Sequence, residues 1–214
     1  MNEKLMNVAG LTAVLTLVVA TAGCGEFSRT GRAPAMAVIL NLEGASGASP
    51  EEFSGTMQSD VVTIVGVTPP GGTTEVAVPT TFNDIGRVTM RLILKDQGIP
   101  GIGAAPTVLN QITINRYRVV YRRSDGRNVP GVDVPYPIDS ATTFTVLADA
   151  SVSQVFEIVR HTAKHESPLA ALANSGVIIS TVADITFYGR DLAGNDVAST
   201  GSIGIAFGNF GDPE

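Results

Sequence analysis

The chain has 214 residues, a formal net charge of −6, and only 16% charged against 44% hydrophobic residues. An acidic balance of this kind argues against nucleic acid or an anionic lipid surface as the partner. A single cysteine rules out a disulfide scaffold, and 23 glycines with 12 prolines point to strands joined by turns.

In chain order, the first feature is an uncharged apolar run over residues 8–22 that follows Lys4 and closes with Thr21-Ala22-Gly23-Cys24. A spanning helix needs about 20 apolar residues. This run is shorter and ends in small residues, which is the build of a signal-peptide core. It resembles the bacterial lipoprotein signal with its lipobox. The resemblance implies that residues 1–23 are cleaved and that Cys24 is acylated to become the first residue of the mature chain. One acyl chain holds a membrane only marginally, but the modified cysteine of that family carries several, so the resemblance implies firm attachment. Gly25 is not the aspartate that holds many such proteins at the inner membrane, so the expected address is the outer membrane of a bacterial envelope. Removal of residues 1–23 takes away one lysine and one glutamate and leaves the net charge unchanged.

Residues 24–35 carry Ser, Thr, Gly, Pro and two arginines without periodicity, as expected for a tether. Residues 36–214 are expected to form one all-β domain. Strands are expected at 36–42 and 61–67, the second closed by a Pro69-Pro70-Gly71-Gly72 turn. From Arg87 to Lys95, Val88, Met90, Leu92 and Leu94 alternate with Arg87, Thr89, Arg91 and Lys95, a period of two that puts one face on a core. In 111–123 the alternation changes phase: Ile112 and Ile114 share one parity, Tyr117, Val119 and Tyr121 the other. A one-residue slip flips every side chain, so a β-bulge is expected near Asn115 and Arg116. Strands at 142–147 and 152–160 follow, then a short helical turn after Ser167-Pro168. Two long strands close the chain. Val177, Ile179, Thr181, Ala183, Ile185 and Phe187 line one face of the first, and Val197, Gly201, Ile203, Ile205 and Phe207 line one face of the second.

Between those two strands lies the run GRDLAGNDV, from Gly189 to Val197. It is similar to the closing hairpin of bacterial Ig-like domains, over about 30 residues from Ser180 to Phe207. The resemblance implies an Ig-like antiparallel β-sandwich, here enlarged to roughly twice the size of a minimal Ig domain; two poorly separated sandwiches are the alternative.

Candidate chemistry is sparse. His161 and His165 lie four apart beside Glu166, a spacing that zinc sites use on helices, but the order matches no metalloprotease motif, and exposed polar residues at a strand end explain them better. Asp191, Asn195 and Asp196 offer hard oxygens for calcium within one loop, with Asp125, Asp133 or Asp149 as further ligands; the same residue types also serve a tight turn by bonding their own backbone. No cofactor is expected, with calcium the one possible exception. Arg116, Arg118, Arg122, Arg123 and Arg127 form the one basic concentration. With Tyr117 and Tyr121 they make a candidate glycan- or polyanion-binding patch, against the simpler reading of a charged strand that resists edge aggregation. No Gly-x-Ser-x-Gly elbow, cysteine nucleophile or phosphate-binding glycine spacing occurs, so no catalytic residues are assigned and no enzyme is expected. The chain reads first as an anchored structural or accessory module that docks an envelope protein. The second reading is a surface-displayed module binding glycan or calcium-bridged ligands.

Overall fold

A computed structural model describes residues 31–96, 98–99 and 102–211. Cys24 and the leader lie outside the described residues. The fold is nearly all β, and its two main sheets face each other over one hydrophobic cluster.

The first sheet has the order β1-β5-β10, formed by β1 (Ala35–Ala45), β5 (Asp84–Leu94) and β10 (Val152–Val159), all antiparallel. The period-two pattern of β5 does what alternation dictates: Val88, Met90 and Leu92 are fully buried, each worth about 1.5–3 kcal/mol of transfer free energy. The second sheet has the order β2-β12-β11-β8-β9. It comprises β2 (Thr56–Asp60), β8 (Ile112–Arg122), β9 (Ile138–Val146), β11 (Ile179–Asp191) and β12 (Asp196–Gly208). All its pairings are antiparallel except that of β2, which lies parallel to β12.

The phase change in β8 is a bulge. Register slips between Tyr188 and Gly189 of β11, leaving Asn115 as the extra residue against that strand, while against β9 Asn115 stands opposite the two residues Thr142 and Thr143. Ile112 and Ile114 before it, and Tyr117, Val119 and Tyr121 after it, all reach the core. Gly189 is required on the facing strand: a Cβ there would lie 2.3 Å from the Thr113 carbonyl oxygen.

Other elements differ from expectation. The strand expected at 61–67 is β3 (Thr63–Val67), and it is preceded by the unexpected β2, whose sequence TMQSD has no apolar alternation. β3 pairs with β4 (Val76–Thr80) around the Pro69–Gly72 turn as a separate two-stranded arm. Two-residue strands β6 (Gly98–Ile99) and β7 (Ile102–Gly103) pair with each other. A four-residue helix α1 (His161–Lys164) follows β10, and the short turn after Pro168 is a 3-10 helix (Leu169–Leu172) that buries Leu169 and Leu172. Val177, expected on the inner face of β11, precedes that strand and is exposed.

The sheets are tied by aromatic and polar contacts. Tyr117 meets Phe156 edge-on at 5.1 Å, and Phe156 meets Phe187 at 5.2 Å, geometries that add to area burial. The Tyr117 and Tyr121 hydroxyls donate across the core to the Glu157 and Ile158 carbonyls of β10. Burial pushes the Tyr121 hydroxyl pKa up, so it stays a donor.

Candidate functional site

The arginines of β8 alternate with its core residues, and this parity decides what the candidate patch contains. Arg116, Arg118 and Arg122 project from the outer face of the five-stranded sheet, whereas Tyr117 and Tyr121 are 3% and 2% exposed and point into the core. The patch of arginines interleaved with these two tyrosines therefore does not assemble as one surface. Its arginines are also engaged with acids. Arg122 forms a two-nitrogen pair with Asp184, and Asp184 further accepts from Ser202 Oγ at 2.7 Å. The Arg122 guanidinium, with Ser202, holds the Asp184 carboxyl below the ordinary carboxylate range against a modest burial effect. Arg123 and Arg127 both grip Asp125, whose pKa falls to about 2, chiefly through Arg127. Arg116 and Arg118 share Asp139 at 3.5 and 3.6 Å, beyond hydrogen-bond distance.

The aromatic residue on the outer face is Tyr188. It sits directly opposite Arg116 across the β8–β11 ladder, and the Arg116 guanidinium lies 4.2 Å from its ring centroid. Beside this pair, at the bulge, lies a groove of about 640 Å³ lined by Asn115, Thr186, Arg190, Asp196 and Thr200 among others. Tyr188 and Arg190 were missed in the sequence reading, although the alternation that places Phe187 inward places Tyr188 outward.

The Asp191–Asp196 loop forms a self-bonded turn. Asp191 accepts from the Asn195 backbone N–H at 2.8 Å through one carboxylate oxygen and from the Asn195 side-chain amide at 2.8 Å through the other. Gly194 takes the positive φ of 85° that the turn needs. Asp196 faces Arg190 at 2.8 Å. Of the three residues proposed for calcium, Asp191 thus has both carboxylate oxygens, and Asp196 one, bonded within the hairpin. His161 lies against Asn83, whose Oδ1 accepts from the His161 backbone N–H at 2.7 Å, and His165 is exposed. Among the described residues no group of three or more His, Cys, Asp or Glu side chains could hold a metal ion.

A second cluster carries no sequence signal at all. Asp84, at the start of β5, has both oxygens occupied: Oδ1 accepts from Lys164 Nζ at 2.8 Å and from the Gly47 N–H at 2.9 Å, and Oδ2 accepts from Ser59 Oγ at 2.6 Å. Lys164 Nζ also donates to the Asp60 carbonyl at 2.7 Å. The Asp60 carboxylate accepts from Thr63 Oγ1 and from the Phe210 N–H. Burial pushes the Asp84 pKa up, and Lys164 opposes that push. Lys164 is the inward residue of α1 in an otherwise polar run, HTAKHE. The cluster binds both sheets, α1 and the C-terminal segment together, and its atoms are consumed by that task.

No family model, curated protein or solved structure was found to match the chain.

Proposed function

We propose that the chain is a membrane-anchored lipoprotein of the bacterial outer membrane, whose Ig-like sandwich is a non-catalytic structural or accessory module that docks another envelope protein. The leader ending at Cys24 supports the anchor. The strand order supports the Ig-like reading: β1, β5 and β10 take the places of strands A, B and E, and β12, β11, β8 and β9 those of G, F, C and C′. The hairpin at Asp191–Asp196 falls where that layout joins its last two strands.

The observation that carries the docking role is the β3–β4 arm. Val65 pairs with Val78 and Val67 with Val76, so four valines share one face. Val67, Val76 and Val78 are exposed, and residues 63–80 hold a single charge, at Glu75. An isolated two-stranded hairpin with an uncovered apolar face is marginal in water and gains by burying that face on a partner. The arm lies at the opposite end of the first sheet from the start of β1. β1 begins at Ala35 opposite Leu94, while the arm joins β5 at its other end, near Asp84, roughly 33 Å along the strand.

In-cell photo-crosslinking from positions 67 and 76, with Cys24→Ser as the control, tests this. One stoichiometric protein partner, lost in the control, is expected. Crosslinks to glycan alone, or none from the arm, overturn the proposal.

A further inference from the structure

A groove on the outer face of the five-stranded sheet lies at the bulge, where Asn115, the extra residue against β11, lines it together with Arg116, Tyr188 and Arg190. We propose that this groove binds an acidic sugar chain, with Arg116 and Arg190 pairing to its carboxylates and Asn115, Thr186 and Thr200 meeting its hydroxyls. The inference does not depend on the docking arm.

Four observations support this occupant. The volume, about 640 Å³, falls within the range of small-ligand sites. The charged residues of the lining favour an anion: Arg116 and Arg190 stand with one acid, Asp196, a local cationic excess in a chain of net charge −6. Arg116 is less committed to an acid than Arg190, whose partner Asp196 lies at 2.8 Å. The contact of Arg116 to Asp139 is 3.5 Å, yet its guanidinium is held in place at 4.2 Å from the Tyr188 ring centroid. A stacked guanidinium keeps its in-plane N–H donors for a carboxylate, with little ordering cost left to meet on binding. Finally, the remaining lining is hydroxyl and amide. Thr186 and Thr200 bond each other at 2.9 Å across β11 and β12, and such groups donate and accept as sugar hydroxyls require. Asp139 and Asp196 repel densely charged chains such as nucleic acids, but tolerate one carboxylate per ring.

The test is isothermal titration of the detergent-solubilised full chain with trigalacturonate and with a chondroitin tetrasaccharide, using maltotriose as the neutral comparison. At least one acidic probe is expected to bind, and maltotriose is not. Arg116→Ala is expected to weaken binding at least tenfold and Arg190→Ala severalfold, while Arg122→Ala, on the same face but outside the groove, leaves it unchanged. A circular-dichroism melt of each variant separates lost contact from lost fold. No binding of either acidic probe, equal binding of maltotriose, or affinity untouched by Arg116→Ala in a folded variant overturns the proposal.

Discussion

Lys164 Nζ lies 2.8 Å from Asp84 Oδ1, eighty residues away in sequence, with side-chain exposures of 1% and 0%. Two charges withdrawn from water this completely are tolerated because every oxygen and the ammonium have further partners in Gly47, Ser59 and the Asp60 carbonyl. A buried pair of this kind adds little net stability over an apolar substitute, but removal of one member strands the other.

Lys164→Met is therefore expected to cost about 3–5 kcal/mol, since it leaves the Asp84 carboxylate without its cation. The double variant Lys164→Met with Asp84→Leu recovers part of that loss, because no lone charge remains, although Gly47 and Ser59 lose their acceptor. Urea unfolding of the two variants checks this. Equal loss in single and double variants would mean that packing around α1, not the uncompensated charge, sets the cost.

The 123–127 turn makes a pH-dependent prediction. Asp125 titrates at about 2, below its ordinary 3.8, chiefly because Arg127 bonds its carboxylate, with Arg123 adding to the effect. A carboxyl depressed in the folded state stabilises above its unfolded value and loses that contribution as pH falls through the folded one. A carbon-detected NMR titration should give a midpoint near pH 2, and Arg127→Ala should move it up toward 3.8. A midpoint that stays put in the variant would place the cause elsewhere.

Gly189 faces the bulge, and Gly189→Ala is expected to destabilise by about 1–3 kcal/mol through overpacking, because its Cβ would sit 2.3 Å from the Thr113 carbonyl oxygen. The backbone conformation is not the cause, since Gly189 is not among the glycines with positive φ. The β8–β11 ladder must spread to admit the methyl group, so faster exchange of the Thr113 and Arg190 amides would accompany the loss. Unchanged exchange and stability would contradict the close approach.

What the sequence reveals here follows from the range of the forces involved. The bulge at Asn115 was legible because parity is a local property, and the reversal between Ile114 and Tyr117 can have few other causes. The hairpin at Asp191–Asp196 was legible because its turn residues bond their own backbone. β2 was not, because TMQSD becomes a strand through parallel pairing with β12 and burial of Ser59 and Asp60 in a polar cluster, both set by distant residues. The Lys164–Asp84 pair was invisible for the same reason. Tyr117 and Tyr121 are a different case: their parity already set them on the core face, opposite the arginines, and proximity in sequence to those arginines outweighed it.

The β3–β4 arm supplies the last prediction. Its strands leave the fold between Thr63 and Thr80, and of their residues only Thr63 is buried. Val67 and Val76 form a cross-strand pair, 45% and 52% exposed, outside the hydrophobic cluster. Exposed substitutions away from a core usually change stability by less than about 0.5 kcal/mol. Val67→Lys with Val76→Thr should therefore leave the thermal midpoint nearly unchanged, while it places a charge on the face that the partner must bury, where desolvation is costly. If the arm is the docking element, this variant folds normally and loses the crosslinked partner. Should it fold normally and keep the partner, docking runs through another surface; a large fall in the thermal midpoint would show that the arm packs against the domain in a way its exposure does not reveal.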